Sequence, residues 1–202
     1  VKIGNYTSPI GEAGIYGALV EESLNPANIN FMKAKTPLQS VTINTEVVLP
    51  NDTNHVGNLF GGKLMQWVDI TAAIAAQRHC GRVVVTAAIN HVSFDNPIKQ
   101  NSIVTLDAKV SRAFNSSMEV FVDVFVENTV TGEKTKCNEA ILTFVAIDQN
   151  GSPLPVPPLI PETELEKKRF DGALRRRQLS LILAGRMKPE DATELKTLFM
   201  KD

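Results

Sequence analysis

The stretch from Lys63 to Cys80 constrains this chain most. It is built from good helix formers, contains no internal proline or glycine, and is apolar almost all round. A helix apolar on most faces has to be covered on most faces, so the remainder of the chain must wrap it. Gly81 follows the last turn, where a left-handed cap is expected. Strand signals flank the helix: Val41–Leu49 before it, and Val83–Phe94, Ile103–Val110, Met118–Val126 and Ala140–Ile147 after it. One alternates cleanly, with Met118, Val120, Val122, Val124 and Val126 on one side and Glu119, Phe121, Asp123, Phe125 and Glu127 on the other. Thr131-Gly132 is a hairpin turn signal. The order of strand, long buried helix and antiparallel strands predicts an α+β fold, with the helix laid across a curved sheet.

Three regions follow from punctuation. Residues 1–40 carry Gly4, Pro9, Gly11, Gly14, Gly17 and Pro26 without sustained periodicity and read as an N-terminal extension, with Met32 a natural start within it. Residues 41–158 form the body. Residues 159–202 are a helical tail, entered through the proline-rich passage Pro153–Pro161. Its first helix is expected over about 162–184 and is heavily charged; a second begins near Pro189. The net charge of −1 gives no global attraction to nucleic acid or to an anionic membrane. Two distant cysteines, Cys80 and Cys137, suggest neither a zinc motif nor a disulfide framework, so a reducing cytoplasm is the expected setting. No signal peptide is read, and no apolar stretch is long enough to span a bilayer.

Common hydrolase machinery is missing: no Gly-x-Ser-x-Gly elbow occurs, and none of His55, His79 and His91 sits in a metal-binding pair. His79, at a helix C-terminus, reads as complementing the dipole. The run Gly57-Asn58-Leu59-Phe60-Gly61-Gly62-Lys63 fits a phosphate-binding loop until its eighth position, where Leu64 replaces the required Ser or Thr. Its physics still applies, because Gly61 and Gly62 at a helix N-terminus present unhindered N–H groups able to polarise a carbonyl. Alternatively these glycines only permit close backbone packing. Asp69 is a carboxylate among Met65, Gln66, Ala72, Ala73 and Ala76 at helical spacing. Such surroundings would raise its pKa and suit a general base; a structural acid is the other reading. Asn58 either serves a turn or orients a water or carbonyl. Eleven residues separate it from Asp69, on the order of 16 Å along a helix, so a site using both would draw them from two chains.

The run from Leu49 through Asn58, Gly61 and Gly62 to Asp69 resembles the cytosolic acyl-CoA hydrolases of the hotdog superfamily. So do Arg78-His79-Cys80, Val85-Thr86-Ala87, Val92-Ser93-Phe94, Ser116 to Val120, Thr143-Phe144-Val145 and Pro153 to Pro157. The resemblance implies a hotdog fold, protomers paired through their sheets and a trimer of such dimers, a homo-oligomeric hexamer. It implies hydrolysis of acyl-CoA to fatty acid and CoA, with Asp69 as general base or nucleophile and Asn58 from the partner protomer. Gly61 and Gly62 would polarise the carbonyl, and Arg112, Ser116 and Ser117 would meet the phosphates of CoA. Arg175-Arg176-Arg177 reads as a solvated helix face, though it too could reach a phosphate. No metal or redox cofactor is implied. A non-catalytic acyl-CoA sensor on the same fold is the alternative.

Overall fold

The computed structural model describes residues 32–94 and 96–197. The chain divides after Met32 into two units, and the account below concerns the second; the predicted N-terminal extension lies, up to residue 31, outside the described residues. Strand β1 is Thr42–Val47 and helix α1 is Gly61–Cys80. Strands β2 Val84–Ser93, β3 Ile103–Ala113, β4 Ser117–Glu127 and β5 Lys134–Ala146 follow. Helices α2 Glu164–Leu183 and α3 Thr193–Lys196 end the described chain. The five strands form one antiparallel sheet in the order β1-β3-β4-β5-β2. β1 and β2 therefore lie at opposite edges, and α1, which joins them, crosses the sheet.

The predicted elements are all present, with shifted ends. β5 begins at Lys134, well before the apolar signal at Ala140, because the hairpin carries polar residues into register with β4. In that hairpin Asn128 Oδ1 accepts from the N–H groups of Val130 and Thr131, and Gly132 takes the left-handed φ of 71°. α1 ends on Gly81 at φ 67°, as expected.

The core lies between α1 and the inward sheet face. Leu64, Val68, Ala72, Ala75 and Ala76 pack against Leu106, Val110, Val120, Leu142 and Phe144. Three alanines let the helix approach the strands closely. The expectation that α1 is covered on most faces is not met within one chain: Ile70 and Ile74 are exposed, beside an edge strand that exposes Val85 and Ile89. The outward face of β4 is covered as well, since Glu119 and Phe121 are buried. Helix α2 covers them. Arg169 pairs with both oxygens of Asp123 at 2.9 and 2.7 Å and stacks over Phe121, and Arg176 pairs with both oxygens of Glu119 at 2.9 and 2.7 Å. Arg112 donates to the Phe170 carbonyl and lies over that ring. The arginine run expected as a solvated face thus supplies part of the inward contact. Charges bury against a sheet when they are paired, as Arg169 and Arg176 of α2 are here.

Residues 33–40, grouped by composition with the extension, pack on the body. Lys35 bridges Leu159, and the Ser40 hydroxyl accepts from the Val110 N–H. Lys35 Nζ donates to the carbonyls of Arg78 and His79, placing a cation on the last turn of α1. His79 does not take the dipole role expected of it. It is fully buried, its Nε2–H donates to the Pro157 carbonyl at 2.8 Å, and burial lowers its pKa despite that bond. Among the described residues no helix is long and apolar enough to cross a membrane.

Candidate active site

The loop before α1 is held from several sides. The Leu59 N–H donates to Ile98 and the Phe60 N–H to Asp52. Buried Asp52 accepts from the Leu49 N–H and faces Lys63 Nζ at 3.4 Å. Lys63 is therefore engaged with its own loop, which removes the phosphate-binding reading of this glycine run. Among the described residues no side chain caps the helix, and while the Lys63 N–H is taken by the Phe60 carbonyl, the Gly61 and Gly62 N–H groups are left to another partner. Neither Gly61 nor Gly62 has a positive φ. A Cβ on Gly61 would make ordinary contact with the Phe94 ring at 3.5 Å, and one on Gly62 would meet the exposed Phe60 ring at 2.6 Å. Neither meets backbone, so close backbone packing does not account for the two glycines. What they provide is an uncovered helix N-terminus.

Asn58 stands in this loop, but its neighbour Asn54 is the more constrained of the two. Asn54 Oδ1 accepts from the N–H groups of Val56 at 3.0 Å and Asn58 at 3.2 Å. The Asn54 N–H donates to the Asn58 carbonyl at 2.7 Å, and Gly57 closes the turn at φ 76°. The amide oxygen is thereby fixed and the Asn54 Nδ2 is presented as an oriented donor. Sequence reasoning passed over Asn54; the signal was its place at the head of an Asx turn, two residues before Val56. Asn54, Asn58, Gly61, Leu64, Phe94 and Asn138 line a cavity of about 320 Å³ at the helix N-terminus.

Asp69 is not in that cavity. It lies farther along α1, half-buried rather than sealed in the apolar stripe expected of it. Its neighbour is Thr86 on β2, whose hydroxyl donates to Asp69 Oδ1 at 2.7 Å. The asparagines with the helix N-terminus and the aspartate with its threonine are thus two separated groups within one chain.

Ser116 and Ser117 line a second cavity, of about 480 Å³, between the outward sheet face and α2. Arg177 joins them, donating to Ser117 Oγ at 3.0 Å and stacking over Phe114, and burial there lowers its pKa. Arg112 does not line this cavity, being held against Phe170.

Comparison with known proteins places this architecture. The sequence profile of the thioesterase superfamily matches residues 56–133. An uncharacterized acyl-CoA thioester hydrolase of Bacillus subtilis is 46% identical over 138 residues, 68% of this chain and 80% of that protein. The rat cytosolic acyl coenzyme A thioester hydrolase is 33% identical over 177 residues, 86% of this chain but only 45% of that longer protein. A solved apo-hexameric acyl-CoA thioesterase superposes with a TM-score of 0.72 at 39% identity, covering 75% of this chain and 97% of its own. The acyl-CoA hydrolase of Staphylococcus aureus, solved with butyryl coenzyme A, coenzyme A and coenzyme A disulfide, has a TM-score of 0.70 at 36% identity, covering 81% and 99%. Three variants of that S. aureus protein replace by alanine an asparagine, an aspartate fifteen positions later and a threonine seventeen positions after that. A helix crossing a five-stranded antiparallel sheet, with these relatives, makes this chain a member of the hotdog-fold thioesterase superfamily, among its acyl-CoA thioester hydrolases.

Proposed function

We propose that this protein hydrolyses the thioester of acyl-CoA at a site completed by a second copy of the chain. The observation that carries the reading is the separation of two complementary half-sites. One presents an uncovered helix N-terminus and the oriented amide of Asn54; the other presents Asp69 held by Thr86. The spacings from Asn54 to Asp69 and from Asp69 to Thr86 equal those between the three residues substituted in the S. aureus hydrolase. Asn54 therefore takes the role first expected of Asn58. Asn58 supports it by donating its N–H to the Asn54 amide oxygen.

In the proposed reaction the thioester carbonyl oxygen lies on the N–H groups of Gly61 and Gly62, where the helix dipole favours developing negative charge. Asp69 from the other protomer takes a proton from water, and the oxygen attacks the carbonyl carbon. The oxyanion collapses, the C–S bond breaks, and the CoA thiolate receives the proton from Asp69. The products are free CoA and a carboxylic acid, which gives its proton to solvent to become the carboxylate. Direct attack by Asp69, forming an anhydride that water then opens, balances equally. Asn54 Nδ2 orients the water or the carbonyl. Neither route calls for a group beyond the substrate and water.

Oligomerisation follows from the same surfaces. β2 is an unpaired edge exposing Val85 and Ile89, next to Ile70 and Ile74 of α1. Such an edge is a template for strand pairing, and pairing there also brings Asp69 to the partner. Three such dimers would give the hexamer that the apo-hexameric relative forms. The phosphates of CoA are assigned to Ser116, Ser117 and Arg177 rather than to Arg112, whose guanidinium is already committed to α2. A cytoplasmic setting agrees with the two buried cysteines, which form no disulfide among the described residues. Thiol release from a panel of acyl-CoAs tests the function directly. Asp69→Asn should lose about 10²–10⁴ in rate while staying folded, and near-normal turnover in that variant would remove the assigned base.

A further inference from the structure

Residues 52–60 form a small hairpin that ends where α1 begins. At its base the Phe60 N–H donates to the Asp52 carbonyl at 2.8 Å, and Thr53 bridges Leu59. At its tip the Asn54 N–H closes on the Asn58 carbonyl at 2.7 Å. The tip therefore carries Asn54, and the last residue of the hairpin, Phe60, is the N-cap of α1. Hydrogen bonds from Leu59 to Ile98 and from Gln100 to Gly57 tie the hairpin to the segment after β2, not to the helix. The joint to the helix is Gly61-Gly62. Glycine gives up more conformational freedom in a helix than any other residue, so a first turn opened by two of them is soft.

Asp52 spans that joint. Its Oδ2 accepts from the Leu49 N–H at 3.1 Å, and its Oδ1 faces Lys63 Nζ, in the first turn of α1, at 3.4 Å. Among the described residues this is the one ion pair or side-chain hydrogen bond between the hairpin and α1. The Asp52 side chain is buried, so its charge needs the partner. A cation in the first turn of a helix opposes the helix dipole, so helix stability alone does not account for Lys63.

We propose that Asp52 and Lys63 are positioning residues: their ion pair braces the glycine joint and fixes the Asn54 amide against the N–H groups of Gly61 and Gly62. This rests on the acyl-CoA hydrolase reading above, in which Asn54 and the two glycines meet the thioester and its water. Asp52 and Lys63 act through them. Without the brace the hairpin and the helix N-terminus shift relative to each other. Groups aligned on the transition state lose more by such a shift than groups that only bind the ground state, and a displacement of about 1 Å costs about a hundredfold in rate.

The test is thiol release from the acyl-CoA that the wild type turns over fastest, with melting curves and oligomeric state measured beside it. The variants are Asp52→Asn, Lys63→Met, the two combined, and Lys63→Arg. Asp52→Asn keeps an acceptor for the Leu49 N–H and removes the charge. Each of Asp52→Asn and Lys63→Met should lower kcat about ten- to a hundredfold while KM stays within about twofold. The combined variant should be no slower than the slower single one, because both break the same pair. Lys63→Arg keeps the cation and should recover most of kcat. Losses that multiply in the combined variant, or Lys63→Arg no faster than Lys63→Met, overturn the brace. So does a rise in KM alone in Lys63→Met, which would make Lys63 a contact of CoA. A kcat that holds or rises in Asp52→Asn overturns it too, since the freed cation would then act on the substrate. If Asp52→Asn does not fold, Lys63→Met and Lys63→Arg decide the matter. Wild-type protein that releases no thiol from any acyl-CoA overturns the hydrolase reading itself, and this inference with it.

Discussion

Subunit mixing exposes the shared site most directly. Asn54 and Asp69 lie in separate half-sites of one chain, one in the cavity at the helix N-terminus and the other against Thr86 on the edge strand. If a partner joins them, Asn54→Ala and Asp69→Ala should each be close to inactive alone, down by about 10²–10⁴ for loss of the base. Mixing the two variants under conditions that exchange subunits makes heterodimers. In each of these, one site carries both substitutions and the other carries neither. Random exchange makes about half of the dimers mixed, with half of their sites intact, so thiol release should recover to about a quarter of the wild-type rate. Mass spectrometry of differently tagged chains verifies the exchange. Verified exchange without recovery would refute the shared site, because a site within one chain keeps one defect in every copy. Repeating the mix with Asn58→Ala in place of Asn54→Ala separates the two asparagines: Asn58→Ala alone should retain most activity, since Asn58 meets Asn54 through its backbone N–H and carbonyl, which alanine keeps.

Three further outcomes follow from the geometry. Thr86→Ala removes the 2.7 Å hydrogen bond to Asp69 and should lower kcat about ten- to a hundredfold with little change in thermal stability, as read by steady-state kinetics beside a melting curve. Arg176→Met leaves buried Glu119 without its bidentate cation, with the Ser111 hydroxyl still donating to it, and should destabilise the fold by about 3 kcal/mol in urea denaturation; a loss under about 0.5 kcal/mol would mean α2 is not held by this pair. Burial lowers the pKa of His79 below 6.5, so on acidification the unfolded chain binds a proton that the folded chain does not. Its contribution to stability is therefore full above about pH 6.5 and is lost as pH falls toward the lowered folded value, and His79→Gln should flatten that part of the melting-temperature profile.

Local periodicity and punctuation carried the sequence a long way. The apolar run of α1, the glycines before it, Gly81 after it and the alternation of β4 act within a few residues of chain, so they were legible without a structure. The covering of the sheet's outward face was not. Arg169 with Asp123 and Arg176 with Glu119 join residues distant in sequence, and charges on a helix read as solvated until a partner is seen. Asp69 was legible as an anomaly, but its neighbour was not, because Thr86 reaches it only after the chain has turned from α1 into β2. The choice between Asn54 and Asn58 rests on the spacing shared with the S. aureus variants and on which amide the loop fixes, and the second is set by backbone N–H directions that this sequence alone does not contain. Sequence determined which segments must be helix or strand and which residues were chemically unusual. Tertiary structure decided which of them share a site, because side-chain hydrogen bonds depend on distances of a few ångströms between segments that sequence order leaves free.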